Sequence, residues 1–456
     1  MPVTTFPDAD ALLLCGYPSG ELEAELVGWL EKGADRHVVV FADRGDFPHE
    51  RWMVVSSDRE GMERVARKFI FLRLAFLDGD EAFKQEMALI QRREFLLASD
   101  YQDRGLGQLE NYLANGTKAA KKGTDLFGKF KGVPAVICGA GPSLEVVADV
   151  LPELKEKALI FGGGTALSSL LKLGVSPHFG GAIDPHPPQK RMDGMPLVPL
   201  FFQSRVHHEL LGNWEGERLW MPGSQHDLFE EEWLDGGWNV STFLALIAYQ
   251  LGCSPIILAG VDLSQTREKT YAGNLPRTEG GDLVPVEGSH LMSRVDWLFA
   301  RDWLAKFAES HPDVEWIQGT PGGLDIEGFV RKDLREMDFE EQVIDIAGAL
   351  AGAGEREGAS NESLLESYER IEKWCQEIVG IAEQSFPNPP MQNGEYVLLT
   401  VEIEKEEAYQ KHLAPVWKMW EPIFARQIPK DAPPGYGVEL HKWLFMQEVC
   451  HAAAKI

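Results

Sequence analysis

Two aspartates lie where apolar segments of the sequence end, a position that suits carboxylate chemistry. Asp184 follows Ala182-Ile183, and Asp262 follows Ala259-Gly-Val261. At the carboxyl end of a strand, a carboxylate can accept a hydrogen bond from a ribose or sugar hydroxyl, or can bind Mg²⁺. Each residue alone could equally be a helix N-cap or a turn residue. Two of them above one sheet favour a ligand site.

Two glycine-rich turns could bring the backbone close to a phosphate. Gly139-Ala-Gly-Pro-Ser-Leu144 joins an apolar segment to a predicted helix, whose N-terminus would add free N–H groups and a positive dipole. Ser143 could cap that helix or bind a ligand. No Gly-Lys-Ser/Thr follows, so the turn is not a Walker A loop, and a turn that needs glycine only for packing is an equal alternative. In Gly162-Gly-Gly-Thr165, the three consecutive glycines favour a ligand near the backbone.

Histidines supply the candidate general bases, because the pKa of an imidazole lies near neutrality. The candidates are His207, His208, His226 and His290. The sequence has neither an HExxH motif nor paired Cys/His spacing, so we expect no zinc site. We assign a structural role to His207, His208 and His226, and we keep His290 as the candidate base.

These residues lie among alternating strands and helices. Predicted strands cover residues 133–138, 158–161, 179–183, 197–203 and 255–259, and predicted helices cover 145–151, 166–173 and 240–251. The alternation predicts an α/β fold with a doubly wound, Rossmann-like, largely parallel sheet. Ligands of such sheets bind beyond the carboxyl ends of the strands, where the Gly, Ser, Thr and Asp clusters fall.

Changes in residue pattern divide the chain into four parts. We predict a smaller N-terminal α/β domain (1–100), a helical linker (101–130), a Rossmann-like nucleotide-binding catalytic domain (131–345) and a mainly helical C-terminal domain (346–456). The first part has predicted strands at 11–15 and 37–41 around a helix at 21–32. A small-residue run at 347–355 predicts a linker, and helices are predicted at 363–383, 397–410 and 438–453.

Composition excludes several classes of protein. The 456 residues include 44 Lys and Arg against 71 Asp and Glu, a net charge of −27. That charge argues against a general nucleic-acid binder and against a protein that binds anionic lipid by charge alone. Five scattered cysteines form no disulfide framework, and the N-terminus shows no secretory signal, so we expect a cytoplasmic protein. The most apolar stretch, 240–261, is interrupted by Gly252 and Pro255, so we expect no membrane span.

Read together and in order, the motifs resemble the motility-associated factor family, whose central domain is also called MptE-like. The motifs are Val136-Ile-Cys-Gly-Ala-Gly-Pro-Ser-Leu144, Gly162-Gly-Gly-Thr165, Ile183-Asp-Pro185, Gly236-Gly-Trp-Asn-Val240, Leu251-Gly-Cys-Ser-Pro-Ile-Ile-Leu-Ala-Gly-Val-Asp-Leu263, Tyr271-Ala-Gly-Asn274 and Gly322-Gly-Leu-Asp-Ile-Glu-Gly328. The resemblance covers about residues 130–330 well, and residues 1–100 more loosely. The central domain is also similar to bacterial CMP-sialic-acid sialyltransferases.

The resemblance implies a glycosyltransferase that moves a nonulosonic, sialic-acid-like sugar from a CMP donor to a hydroxyl of a protein or glycan acceptor, with flagellin Ser/Thr as the acceptor known in the family. By the same resemblance, the nucleotide is bound by Gly139, Gly141, Pro142, Ser143, Gly163, Thr165, Asp184, Gly237, Asn239 and Asp262. Tyr271 matches a tyrosine that donates to the departing phosphate, and His290 matches the general-base histidine that precedes a helix. Sialyltransferases of this kind need no metal, so no cofactor is expected, although Asp184 and Asp262 keep Mg²⁺ possible.

Two other functions remain open. The archaeal MptE branch of the family implies an ATP-dependent 6-hydroxymethylpterin pyrophosphokinase that uses Mg²⁺. The third hypothesis is a non-catalytic nucleotide-binding scaffold whose function is carried by the C-terminal helices. Selective binding of CMP, of ADP with Mg²⁺, or of neither nucleotide would distinguish the three.

Overall fold

The computed structural model describes residues 6–33, 36–45, 48–70, 72–186, 197–224, 227–229, 233–265, 271–272, 283–286, 289–358, 360–388, 390–427 and 436–455. The chain forms two compact units. The first combines Met1–Gly105 with Val416–Lys442, and the second combines Leu106–Pro415 with Trp443–Ile456. The four-part division from the sequence stays a prediction.

The first unit contains a small parallel sheet of four strands. These are β1 (Ala11–Cys15), β2 (His37–Phe41), β3 (Trp52–Val55) and β4 (Leu74–Phe76), in the order β3-β2-β1-β4. Helices α1 (Gly20–Glu31) and α2 (Arg59–Lys68) follow β1 and β3, and α3 (Glu81–Gly116) continues from this unit into the second. The predicted strand–helix–strand start is confirmed, because apolar β1 and β2 are almost fully buried.

A ten-stranded sheet organises the second unit. The other strands among the described residues are β5 (Ala120–Lys122), β6 (Ala135–Cys138), β7 (Leu159–Gly163), β8 (Phe179–Ala182), β9 (Leu200–Phe202), β10 (Arg218–Trp220), β11 (Ile256–Ala259), β12 (Leu283–Pro285), β13 (Met292–Arg294), β14 (Trp316–Gln318), β15 (Val330–Arg331) and β16 (Glu355–Arg356). The order is β15-β14-β11-β6-β7-β8-β9-β10-β5-β16, with β12 and β13 forming a separate antiparallel pair. Every pair in the large sheet is parallel except β16 with β5.

Both faces of this sheet are buried, which explains why its central strands are continuously apolar. Helices of the unit include α4 (Thr165–Lys172), α5 (His208–Gly212), α6 (Val240–Gln250), α7 (Val295–Ser310) and α8 (Ile346–Ala351). On one face, Phe161, Phe179 and Phe201 stand on three adjacent strands, with neighbouring ring centroids 5.5 and 5.3 Å apart. The opposite face buries Val136, Cys138 and other side chains against a second cluster. The predicted α/β class with a doubly wound central sheet is confirmed.

Two local predictions are wrong. Residues 145–151 were predicted to be one helix, but short 3-10 helices occupy Pro142–Val146 and Leu151–Glu156. Pro142 and Pro152 each stand in the first turn of one of these helices, where a missing N–H is tolerated, so the prolines favour two short helices over one continuous α-helix. The small-residue run at 347–355 was predicted to be a linker, but it forms most of α8 and leads into edge strand β16.

Helices make up the C-terminal part of the chain, as predicted. They are α9 (Glu362–Ser385), α10 (Gly394–Lys405), a π-helical turn (Tyr409–Leu413), α11 (Ala414–Gln427) and α12 (Tyr436–Ala453). The buried Tyr368 hydroxyl lies 2.6 Å from Nδ1 of His412, and Trp443 Nε1 donates to the Tyr396 hydroxyl at 2.8 Å. Across the described residues, no helix is both long and apolar enough to cross a bilayer.

Candidate functional site

The sheet reverses its strand order at β6. The chain proceeds from β6 through β7, β8 and β9 on one side, and places β11 on the other. Ligands of open α/β sheets bind outside the carboxyl ends of the strands at such a reversal. The turn Gly139–Leu144 follows β6 and Asp262 follows β11, so the fold brings two of the predicted motifs to this point.

A buried polar cluster joins these two motifs. The backbone N–H of Ser143 donates to Oδ2 of Asp262 at 3.0 Å, and its hydroxyl donates to Oδ1. The Ser143 and Thr320 hydroxyl oxygens lie 3.0 Å apart, and Thr320 also accepts from the Gly260 N–H at 3.3 Å. Thr320, in the loop after β14, is a member of this cluster that motif reasoning missed, because no pattern in the sequence links it to Ser143.

Burial raises the pKa of Asp262, which is only 7% exposed, while hydrogen bonds from Ser143 and the charge of Arg331 oppose the rise. Arg331 donates to the carbonyl oxygens of Thr320 and Gly322 at 2.8 and 3.1 Å. Both Asp262 oxygens are therefore used within the protein. A metal ion or a ribose at this carboxylate would have to share its oxygens with Ser143, because each oxygen already accepts one hydrogen bond.

The glycines of the first turn allow the backbone to approach the segment after β11. A Cβ at Gly141 would lie 2.4 Å from Oδ2 of Asp262, and one at Gly139 would lie 2.3 Å from the Gly260 carbonyl oxygen. The Gly141 N–H donates to that carbonyl at 2.8 Å. The glycines of this turn are therefore needed for close packing against the segment after β11, which is the alternative to phosphate binding that the sequence left open. Phosphate contacts of Gly139, Gly141, Pro142 and Ser143 stay predictions.

The predicted helix dipole behind this turn is a wrong expectation. The helix that begins at Pro142 is a 3-10 helix of five residues, too short to produce the expected field. The amides of Gly139, Gly141, Ser143 and Leu144 all donate within the protein, and Pro142 has none to offer. Among the described residues, the Ala140 amide alone in this turn has no acceptor. Ala140 is therefore the position from which the turn can bind an anion.

The second glycine turn leads into a longer helix. A Cβ at Gly163 would lie 2.2 Å from Cγ2 of Val240, so this glycine lets α6 pack against β7. Helix α4 begins at Thr165 after Gly164, and no side chain caps it. Cys138 pairs with Gly162 across β6 and β7, so Ala140 and Gly164 leave the sheet side by side. The uncapped start of α4 and the Ala140 amide thus lie at the same edge of the sheet.

Asn239 caps α6. Its side-chain oxygen accepts from the amides of Ser241 and Thr242 at 2.9 and 3.0 Å, and the Thr242 hydroxyl accepts from the Asn239 amide at 3.1 Å. Gly237 lies in the preceding turn with φ +71° and donates to Asp235 at 3.1 Å. Both residues have a local structural role, and their predicted nucleotide contacts stay predictions.

Tyr271 lies next to the edge shared by the two glycine turns. The amide of the following residue, Ala272, donates to the carbonyl of Ala140 at 2.8 Å, and its carbonyl accepts from the Ser169 hydroxyl on α4 at 3.2 Å. The Tyr271-Ala272 segment therefore connects the β6 turn with α4. Nothing in the sequence pairs Ala272 with Ala140, so only the fold reveals this contact.

His290 is exposed in the connection between β12 and β13. The connection is anchored nearby, because Gln265 and Met292 exchange backbone hydrogen bonds of 2.9 and 3.3 Å. The Ser293 hydroxyl also donates to the Leu263 carbonyl at 2.7 Å. His290 is thus attached to the segment that follows Asp262, while its role as the base stays a prediction.

Asp184 is exposed at the end of β8, where its carboxylate accepts from the His186 amide at 3.0 Å. Three strand spacings separate β8 from β11, so the ends of these two strands lie roughly 14 Å apart. This separation disfavours a single Mg²⁺ bound by both carboxylates, because its ligands lie at about 2.1 Å. In the described part of the chain, no three His, Cys, Asp or Glu side chains are arranged to hold a metal. The two aspartates do not fit a shared magnesium site.

The loops after β8 and β9 are held by α3. The buried amide of Asn111 donates to the carbonyls of Pro185 and Arg205 at 2.9 and 3.1 Å. Its oxygen accepts from the His208 backbone and lies 3.0 Å from the His208 ring nitrogen Nδ1. The His207 amide donates to the Asp184 carbonyl at 3.0 Å. These contacts agree with structural roles for both histidines, and His226 lies outside the described residues.

Comparisons with known proteins agree with this architecture. Residues 110–268 match the family model described as 6-hydroxymethylpterin diphosphokinase MptE-like. The chain is similar to a solved MAf glycosyltransferase from Magnetospirillum magneticum AMB-1, with 15% identity and a TM-score of 0.55 over 97% of this chain and 78% of that one. No curated protein matches. The family resemblance is confirmed: residues 110–268 form an MptE-like domain, in a chain with the fold of a Maf glycosyltransferase. The sialyltransferase similarity stays a prediction.

Proposed function

We propose that this chain is a glycosyltransferase that moves a sialic-acid-like sugar from a CMP donor to a hydroxyl acceptor. One observation carries the proposal. The Ala140 amide, the uncapped start of α4 at Thr165 and the Tyr271 segment meet at the carboxyl edge of β6 and β7. Backbone N–H groups at a helix start favour phosphate, and a tyrosine hydroxyl beside that phosphate could protonate it as it departs. The fold shared with a Maf glycosyltransferase supports the choice of reaction.

The remaining roles follow the family resemblance. Asp184, exposed one strand beyond β7, accepts hydrogen bonds from ribose or sugar hydroxyls. His290 removes the proton of the acceptor hydroxyl, whose oxygen then bonds to the anomeric carbon as CMP leaves. The acceptor is a protein or a glycan, with flagellin Ser/Thr as the family precedent, and the reaction takes place in the cytoplasm. No step uses a metal ion.

Calorimetry of the full chain with CMP, ADP and GDP, each with and without Mg²⁺, tests the proposal. We expect selective, magnesium-independent CMP binding. The variant Thr165→Val keeps the backbone N–H groups of α4 but removes the hydroxyl that the family resemblance assigns to the nucleotide, so it should weaken CMP binding, whereas Ser310→Ala, at the far end of α7, should not. Gly141→Val is unsuitable as a probe, since the added side chain would disrupt the Ser143–Asp262 contact. Failure of CMP to bind the native chain would contradict the proposal.

The base assignment has its own test. His290→Ala should abolish sugar transfer from the CMP donor while leaving CMP affinity nearly unchanged. His290 is exposed, so its removal should not alter the thermal unfolding midpoint. Normal turnover in the variant would rule out His290 as the base without affecting the proposed donor.

A pterin diphosphokinase is the second candidate, and the name of the matched family model favours it. It requires ATP and a divalent cation. In the same calorimetry, tight ADP binding that depends on Mg²⁺ and no CMP binding would favour this function. Binding of neither nucleotide would favour the scaffold reading.

A further inference from the structure

Helix α10 is apolar on both its inner and its outer side. Tyr396 and Ile403 are buried in the C-terminal helices. Facing the other way, Val397 is 44% exposed, Leu398 67% and Val401 42%. A surface helix normally has one apolar stripe, which it buries against the core. We call Val397, Leu398 and Val401 the α10 patch, and its exposure is unexplained by packing within the chain.

Carboxylates bound the α10 patch along the same helical stripes. Glu395 precedes Leu398 by three residues, and Glu402 follows it by four, so all three share one side of the helix. Glu404 follows Val401 by three residues, next to the exposed Lys405 that pairs with Glu402 at 2.6 Å. Carboxylates therefore flank the apolar side chains at both ends of the helix.

This charge pattern disfavours two occupants. A second copy of the chain, packed by two-fold symmetry, would place Glu395 of one copy near the acidic end of the other. The net charge of −27 adds to that repulsion. A lipid surface is disfavoured for the same reason, because cytoplasmic leaflets are anionic. The complementary occupant is apolar in the middle and basic at its ends.

We propose that the α10 patch docks an amphipathic segment of another protein, with apolar side chains at helical spacing and Lys or Arg one turn beyond them on each side. Burial of Leu398 and Val401 supplies the affinity. The carboxylates of Glu395 and Glu404, at opposite ends of the α10 patch, select the basic ends and the orientation, whereas Glu402 is paired with Lys405. The inference is independent of the reaction proposed above, since α10 belongs to the C-terminal helices and not to the sheet.

The test measures binding of two synthetic helical peptides to the full chain by fluorescence anisotropy. Both carry leucines at i, i+3, i+4 and i+7; one has lysines at its ends and the other has glutamates. We expect the lysine peptide to bind at least about tenfold more tightly. The double variant Leu398→Ser/Val401→Ser should weaken its binding by about tenfold or more. As a matched control, Val343→Ser alters a side chain that is 94% exposed elsewhere and should change nothing.

Three outcomes would overturn the proposal. Equal binding of the glutamate peptide would show that the carboxylates select nothing. Undiminished lysine-peptide binding by the double variant would show attraction by charge alone. Sedimentation of the native chain as a dimer that the double variant loses would identify a second copy as the occupant. Because the substituted side chains are exposed, an unchanged thermal unfolding midpoint verifies that each variant is folded.

Discussion

Asp262 matches a ligand-binding motif in the sequence, but in the structure its carboxylate accepts hydrogen bonds from Ser143. The sequence indicates its position at the end of a strand, which the fold confirms. The sequence does not indicate its partner, because Ser143 is 119 residues away and the two meet only through the pairing of β6 with β11. Asp184 is the opposite case: an exposed carboxylate at a strand end, available to a ligand.

The raised pKa of Asp262 predicts a specific pH dependence of stability. The carboxyl binds its proton more tightly in the folded chain than in the unfolded one, so its contribution is fully present below the unfolded pKa of 3.8 and is lost as pH rises through the folded value. Asp262→Asn cannot titrate. The free energy of unfolding of the native chain relative to the variant should therefore fall as pH rises, by about 1.4 kcal/mol for each pH unit between the two pKa values.

Urea unfolding of both proteins from about pH 3, below the unfolded pKa of the carboxyl, to about pH 7.5 checks this. Asp58→Asn is a useful contrast, since hydrogen bonds from Gly61 and Ser56 lower the pKa of that carboxyl. There the native chain should gain stability over its variant as pH rises above the folded pKa. A pH-independent difference between native chain and Asp262→Asn would mean that the buried carboxylate is not perturbed.

At the scale of elements, the central strands of the large sheet were predictable. Their side chains are buried on both faces of the sheet, so each of these strands is a continuous apolar segment of the sequence. The short β3 and β4 were missed, since each has residues that are only half-buried. Strand β16 was missed because its pairing with β5 joins Glu355 to Lys121, far apart in the sequence. The predicted helix type after β6 was wrong because apolar spacing does not distinguish one α-helix from two short 3-10 helices.

Close packing between α6 and β7 predicts the effect of Gly163→Ala. The new methyl group would lie 2.2 Å from Cγ2 of Val240, so the helix must move or the strand must distort. We expect a loss of about 1–3 kcal/mol in the free energy of unfolding. The control is Gly380→Ala, within α9 and with open space at its Cβ, which should stabilise by about 0.5–1 kcal/mol. Equal effects of the two substitutions would refute the packing account of the glycine turn.

The start of α6 predicts a second effect, for Asn239→Ala. The variant loses the side-chain oxygen that accepts from two amides, so the chain should lose about 1 kcal/mol of stability. Asn239→Asp keeps the cap and should restore it. CMP titration of both variants then separates the two roles. Equal CMP affinity in native chain and Asn239→Ala assigns Asn239 to capping alone, whereas lost affinity in both variants assigns it to the nucleotide.

The whole molecule carries a net charge of −27, and its self-repulsion predicts a response to salt. Raising NaCl from about 0.01 M to about 0.15 M shortens the screening length from about 30 Å to about 8 Å. The thermal unfolding midpoint should therefore rise with salt, as scanning calorimetry would show. A falling midpoint would mean that surface ion pairs, such as Arg370 with Glu406 at 2.8 Å, outweigh the repulsion.

At this scale, the ordered set of motifs predicted the resemblance to the MptE-like family model that matches residues 110–268, although each motif alone was weak. The order of the motifs along the chain was recognisable because, in this α/β fold, a glycine-containing or acidic turn follows several successive strands. What the sequence could not supply was the lateral order of those strands, which puts Ala140, Thr165 and Tyr271 together and separates Asp184 from Asp262. That order depends on pairings between distant segments, which leave no local pattern.

The edge pair of β5 and β16 has a consequence for synthesis on the ribosome. Lys121 leaves the exit tunnel more than two hundred residues before Glu355, its partner across the pair. Once β10 has paired with β5, and until Glu355 emerges, β5 is a sheet edge with one side open, a state that can recruit other nascent chains. At roughly 5–20 residues per second, the interval between Trp220 and Glu355 lasts about 7–27 seconds. Lys121 and Lys122 lie on this edge strand, and their positive charges disfavour pairing with the strands of other nascent chains until β16 has been made.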